Sequence, residues 1–375
     1  MLKENPDFKR QLFSPRRLKI SLFIRSIANR EVPILQHIQK NYRYGFLDFY
    51  FKFMAVACDH IFFTYMLPLL FWLGFADLAR GLTLVVMLVI SITGWVKDYV
   101  SSPRPKSPPL VRLSFNKTHE LEFGFPSTHS AYVVACAVYL SSLVSNYDLF
   151  AKHGLNIPHP LLYFAFWFFA VSVLVGRIYC GMHTFIDVIG GSIFGVLIAY
   201  PLSLWFYQVD AFIYTEYLSG ALTVSLFTFV LLYNHPIFID ECLCYVDTFS
   251  AISVLNGLSF GSLLYQNFHP PTEPSGYSIY FNFYEFGLLR TLLRLLVGLI
   301  LIAIWKEVST LIILKVIGNK DLIEFKDSQM MRKHKVFGRP EVIYSNRNLA
   351  RIPVYFGIGF FAVFSFPWVV YFLGI

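Results

Sequence analysis

Three stretches of this 375-residue chain gather residue types that can hold and attack a phosphate ester. The first runs Lys97-Asp98-Tyr99-Val100-Ser101-Ser102-Pro103-Arg104-Pro105, and the second Gly124-Phe125-Pro126-Ser127-Thr128-His129. The third runs Gly176-Arg177-Ile178-Tyr179-Cys180-Gly181-Met182-His183-Thr184-Phe185-Ile186-Asp187. Lys97, Arg104 and Arg177 are three fixed cations, and with backbone donors at a helix N-terminus they describe a receptor for a phosphate dianion. Arginine's fork can hold two phosphate oxygens, whereas Lys97 acts as a point charge. Ser127, just ahead of a helix, is placed to cap it or to donate to a phosphate oxygen. The two histidines add reactivity. In-line phosphoryl transfer needs a nucleophile on one face and a proton donor for the leaving alkoxide on the other. His183 and Asp187 stand four residues apart, so on a helix the carboxylate shares a face with the imidazole and can hold its tautomer and stabilise its cation. His129 lies on a separate element and is free to stand opposite. A histidine nucleophile implies a covalent phosphohistidine that water then hydrolyses. The Lys/Arg cluster supplies the charge neutralisation a magnesium ion would otherwise give, so no metal and no cofactor are expected.

Each feature has an ordinary structural reading as well. A single Arg or Lys at a membrane boundary is usually a snorkelling anchor, Pro-Arg-Pro is usually a rigid loop, and His then Asp at helical spacing is usually a local hydrogen bond. Asp187 shifts the balance, because a carboxylate in an otherwise apolar helix costs a few kcal/mol unless it is paired. The remaining histidines, His37, His60, His119, His153, His159, His235, His269 and His334, have no comparable setting and are assigned no role. Glu120 and Glu122 resemble a paired-carboxylate site, but are read as offsetting the loop's cations. The five cysteines, Cys58, Cys136, Cys180, Cys242 and Cys244, are odd in number and scattered, so ordinary buried thiols are expected rather than a zinc site or disulfide framework.

The elements that must position these residues are membrane helices. Hydrophobic residues make up 56% of the chain and charged residues 14%, against the ~25% charged residues of a soluble domain. Uncharged apolar runs near bilayer length occur at about 54–75, 80–96, 128–145, 161–178, 184–206, 219–234, 249–266, 289–316 and 352–374, giving an all-α polytopic bundle of about nine helices (eight to nine). Run length and lack of alternation exclude a membrane barrel. The run 289–316 is the least regular, since Arg290 and Arg294 open it and Lys306 and Glu307 interrupt it. Counting crossings puts all three chemical stretches on one side of the membrane. Residues 1–53 carry eleven basic and four acidic side chains, and residues 318–351 eight and four. Both stretches flank apolar runs, so anionic lipid headgroups and topology signalling are their expected partners, not nucleic acid. Met1 to Lys19 have no apolar core, and no removable signal peptide is expected. The organisation reads as a basic segment 1–53, a catalytic core 54–206 and further membrane helices 207–375 that include the basic loop 318–351.

Lys97 with Arg104-Pro105, Pro126-Ser127-Thr128-His129, and Arg177 with His183 and Asp187 at spacings of six and ten together resemble the three-part signature of the type 2 phosphatidic acid phosphatase superfamily. Ser107-Pro108-Pro109, Phe125-Pro126 and Gly181-Met182-His183-Thr184 through Asp187-Val188-Ile189-Gly190-Gly191 further resemble its sphingosine-1-phosphate phosphatase branch, fungal long-chain base phosphate phosphatases included. The resemblance implies His183 as nucleophile, Asp187 as its orienting carboxylate, His129 as general acid, and Lys97, Arg104, Ser127, Thr128 and Arg177 as phosphate holders. It also implies a sphingoid base phosphate as the lipid substrate and a multi-pass place in the endoplasmic reticulum membrane with a lumenal site. The basic segments at 1–53 and 318–351 pull the other way, because by the positive-inside rule their side would be cytosolic. Gly176 departs from the Ser that commonly precedes the Arg, removing one hydroxyl from the phosphate's surroundings. A phosphotransferase acting on a lipid hydroxyl and a non-catalytic lipid-binding or transport protein are the alternative readings.

Overall fold

In the computed structural model the described residues are 13–58, 60–115, 122–152, 154–215, 218–236, 244–271, 279–318, 335–336, 339–340 and 346–375. Among them only Lys335–Val336 and Arg339–Pro340 are strands, paired antiparallel, and nearly all of the rest is helical. The helices are α1 (Pro15–Tyr42), α2 (Gly45–Val56), α3 (His60–Trp72), α4 (Ala76–Val100), α5 (Thr128–Tyr147), α6 (His159–Tyr179) and α7 (Phe185–Leu204). They continue with α8 (Leu218–Tyr233), α9 (Cys244–Asn267), α10 (Phe283–Ile317), α11 (Asn346–Phe360) and α12 (Phe366–Leu373).

Among the described residues, α4, α5, α6, α7, α9, α10 and the run 348–373 are long and apolar enough to cross a bilayer, and the bent pair Phe206–Tyr214 and Leu218–Tyr233 makes an eighth span if counted as one. The all-α polytopic class is therefore right, and the expected eight to nine meets the seven or eight candidate spans at eight, with the ninth not found among the described residues. The difference is the stretch 54–75, whose apolar composition does not make one helix: α2 ends at Val56, and α3 has 13 residues. A helix of that length spans about 20 Å, short of a hydrocarbon core of about 30 Å. The irregular run 289–316 lies within Phe283–Ile317, on the C-terminal side of a break in the helix at Gly287, whose φ is 66°. Its buried Arg294 is accommodated by donating to the Tyr280 carbonyl at 3.3 Å and by lying 4.4 Å over the Phe286 ring.

Two compact units are present, residues 1–63, 88–205 and 235–248 in one and 64–87, 206–234 and 249–375 in the other. The second is built around Trp72, Ile302, Phe366 and Val363, with a buried two-pronged ion pair from Arg80 Nε and Nη2 to Asp210, both 2.7 Å. The first unit carries all three chemical stretches. Its centre is the α5–α7 contact, where Gly191 and Gly195 sit so close that a Cβ would run into the carbonyl oxygens of Ser127 and Ala131. Lipid tails give no hydrophobic push between helices, so close approach over small residues supplies the packing. It also fixes the start of α5 against the start of α7, where Ser127 N–H donates to the Asp187 carbonyl at 2.9 Å. Replacing Gly191 with alanine is expected to lower stability by about 1–3 kcal/mol through overpacking and to impair turnover, since the two chemical stretches are forced apart. Thermal melting alongside phosphate-release assays checks this.

Helix α1 ties the loops together. Gln39 donates to the carbonyls of Val111 (2.8 Å) and Tyr179 (2.9 Å) and accepts from Val111 N–H (2.9 Å). Arg17 donates to the Tyr99 and Asp98 carbonyls, both 2.6 Å, and the Glu31 carboxylate accepts the free N–H of Ile186 at the start of α7. Helix α2 packs on α6 with Phe51 against Gly176, and a Cβ there would stand 2.9 Å from the Phe51 ring. This is a packing reason for glycine where a serine would be usual.

Candidate active site

Lys97 comes from the last turn of α4, Arg104 from the loop that follows, His129 from the first turn of α5, Arg177 from the last turn of α6, His183 from the α6–α7 loop and Asp187 from the first turn of α7. All six are buried. Sequence separations of up to ninety residues are thus closed at one end of the first unit, as the crossing count requires.

Arg104 is the hub. Its Nη1 donates to the Met182 carbonyl at 2.9 Å and lies 2.7 Å from His183 Nε2, while Nε donates to the Glu122 carbonyl at 3.2 Å. A guanidinium offers donors only, so His183 Nε2 is the acceptor and the imidazole proton is assigned to Nδ1. That proton faces Asp187, whose Oδ2 is 3.6 Å from Nδ1, too long for a hydrogen bond. Asp187 Oδ2 instead accepts from the Thr184 N–H at 2.8 Å and caps α7. His183 itself is held by its own N–H on the Arg177 carbonyl, 3.3 Å. Burial, and then the cations Arg104, Lys97 and Arg177, push the His183 pKa well below its ordinary value of 6.5. Both effects favour the neutral imidazole, with its Nε2 lone pair directed at Arg104 Nη1.

Arg177 Nε has no hydrogen-bond partner among the described residues although the side chain is buried, which leaves it a donor for a ligand. Ser127 acts as the N-cap of α5, accepting from Ser130 N–H at 3.3 Å and from the Ser130 hydroxyl at 2.9 Å. The Thr128 hydroxyl is paired with that of Thr93 at 3.2 Å. His129 packs against the Tyr132 ring with centroids 5.3 Å apart.

The expected residues therefore converge. Glu122, read from the sequence as offsetting the loop's cations, does so by direct contact. Its Oε2 receives Lys97 Nζ at 2.7 Å and Arg104 Nη2 at 3.3 Å, bridging two of the expected phosphate holders. Glu120 and His119 lie outside the described residues. His235, dismissed above, is buried with Nδ1 3.8 Å from Asp98 Oδ2 within the first stretch. Cys244 is disulfide-bonded, correcting the expectation of ordinary thiols; Cys58, Cys136 and Cys180 are free. Cys242 lies outside the described residues. Cys244 packs against Phe123 beside Glu122.

The depressed His183 pKa has a testable sign. Protonation would block Nε2, so the acid limb of kcat/KM, corrected for the substrate's own ionisation near pH 6, should fall below the usual histidine range. Arg104→Gln removes one repelling cation, raises the His183 pKa, and should move that limb to higher pH. A limb unmoved by the substitution would separate Arg104 from the titration of His183.

A family model described as the PAP2 superfamily matches residues 78–211. A dihydrosphingosine 1-phosphate phosphatase of Schizosaccharomyces pombe is 32% identical over 321 residues, covering 84% of this chain and 75% of the relative. Its namesake in Saccharomyces cerevisiae is 30% identical, over 85% and 76%. Sphingosine-1-phosphate phosphatase 2 of Mus musculus is 30% identical, over 66% of each chain. No solved structure matches. These likenesses extend well beyond the three motifs and cover most of both fungal chains, so the chain belongs to the PAP2 superfamily, in its branch of sphingosine-1-phosphate and fungal dihydrosphingosine 1-phosphate phosphatases.

Proposed function

We propose that this chain is an integral membrane lipid phosphatase that hydrolyses the phosphate monoester of sphingoid long-chain base 1-phosphates. The observation that carries the reading is the buried His183 with its Nε2 on Arg104 at 2.7 Å and Asp187 Oδ2 3.6 Å from its Nδ1. An arriving phosphate takes Arg104, Lys97 and Arg177 as its cations, and Ser127 and Thr128 line its approach. Arg104 leaves Nε2, and the freed lone pair attacks phosphorus while the ester P–O bond breaks. His129 gives its proton to the departing alkoxide, and Asp187 stabilises the imidazolium character on His183. In the second half, water gives a proton to His129 and its oxygen attacks phosphorus. The P–N bond breaks, releasing inorganic phosphate and restoring the imidazole.

The test is turnover of a long-chain base phosphate by purified full-length protein in mixed micelles, with product analysis. Free inorganic phosphate is expected, undiminished by chelator, because Lys97, Arg104 and Arg177 neutralise the transferring group. Delivery of phosphate to a lipid hydroxyl would make the chain a phosphotransferase, and loss of activity in chelator with rescue by magnesium would overturn the metal-free scheme.

A lumenal site in the endoplasmic reticulum membrane is part of the proposal. The basic N-terminal segment is weaker counter-evidence than its charge suggests, because Arg17 serves as an internal donor to α4 carbonyls.

A further inference from the structure

Glu122 occupies a position that a site built only to hold phosphate would leave to phosphate. One of its oxygens, Oε2, sits 2.7 Å from Lys97 Nζ and 3.3 Å from Arg104 Nη2, and the same guanidinium reaches the nucleophile through Nη1. The side chain is only 11% exposed, so this carboxylate is part of the site wall and not a solvated rim charge. Lys97 and Arg104 are both cations that a phosphate would take, and both are held by this one carboxylate oxygen. A phosphate monoester, with about −1.5 to −2 charges at neutral pH, would displace Glu122 from its cations and then lie beside it. Two adjacent anions in a buried site repel strongly.

We infer that Glu122 is the specificity-determining residue that receives the ammonium group of the substrate, on the carbon next to the one esterified with phosphate. The inference rests on the phosphatase reading above. As the phosphate takes Lys97 and Arg104, Glu122 exchanges those partners for the vicinal ammonium, which then stands between the two anions. An ester with a hydroxyl in place of the ammonium leaves Glu122 a buried carboxylate against a phosphate, so the same group that accepts the amine rejects its neutral analogue.

The experiment uses purified full-length protein with two single-chain esters of equal length, a long-chain base 1-phosphate and the matching 1-phosphate carrying a hydroxyl at carbon 2. The wild type should favour the amine in kcat/KM by on the order of 10- to 100-fold, the size of a charge-assisted contact in a buried site. Glu122→Gln should reduce that ratio to within a few-fold by losing rate on the amine while keeping or raising the rate on the hydroxyl ester. Glu122→Asp, which retains the charge, should restore part of the preference. An unchanged ratio in Glu122→Gln overturns the assignment and leaves the phosphatase reading standing. So does equal loss on both esters in a variant that melts like the wild type, since a carboxylate needed only for the amine is dispensable for the other ester. If Glu122→Gln does not fold, the Glu122→Asp ratio and the wild-type preference decide, and a wild type indifferent to the amine overturns the assignment. Failure of the wild type to release phosphate from either ester would instead strike the phosphatase reading itself.

Discussion

Replacing His183 with alanine is expected to cut phosphate release by at least about 10⁴-fold, the scale of losing a nucleophile from a unit whose members act together. The side chain is fully buried, and Arg104 holds its Nε2 from one side while Asp187 waits behind Nδ1. Residual binding by Lys97, Arg104 and Arg177 should survive, so the loss belongs in kcat more than in KM. The covalent intermediate gives a second readout. With a radiolabelled ester and a quench into alkali, which spares the acid-labile P–N bond, label should be retained on protein and map to His183. His129→Ala should lose least with an ester whose leaving group is already a stable anion, because less protonation is needed. Label retained at full yield in His183→Ala would move the nucleophile elsewhere.

Much of the site was legible because the information is local. The helix starts at Thr128 and Phe185 follow from apolar runs preceded by Ser127 and Thr184, although His183 lies in the loop ahead of α7 and does not share a helix face with Asp187. Side of the membrane then follows from counting crossings, which survives an error in the total as long as the helices between the motifs are right. What the sequence hides is long-range pairing. Nothing near Gln39 indicates that it bridges to Tyr179, 140 residues away, and Arg17 looks like one more topogenic cation until it is seen donating 81 residues along the chain to Asp98. Glu122 was legible as compensation for the loop's cations, but the sequence does not say which ones; that Lys97 and Arg104 meet at a single oxygen depends on long-range approach. The stretch 54–75 failed differently: hydropathy counts apolar residues but does not see that the helix stops at Val56 and resumes at His60.

Asp187→Asn is expected to leave the fold nearly intact and to lower the rate by about 10²–10⁴-fold. The carboxylate has two tasks that the substitution separates. As a cap it accepts the Thr184 N–H at 2.8 Å, and an asparagine carbonyl can accept the same bond at little cost. As a partner for His183 it lies 3.6 Å from Nδ1, out of hydrogen-bond range while Arg104 holds the other side of the ring. When phosphate draws Arg104 away, the ring is free to close that gap just as positive charge develops on it, which is when a carboxylate stabilises the transition state more than the ground state. An asparagine that spends its carbonyl on Thr184 turns its amide N–H toward Nδ1. It then favours the tautomer with the proton on Nε2, removing the lone pair that must attack. Asp187→Ala loses both tasks, so it should melt lower as well as turn over more slowly, and the difference between the two variants isolates the cap. Turnover by Asp187→Asn near that of the wild type would reduce Asp187 to a helix cap and leave the imidazolium to be stabilised by another group.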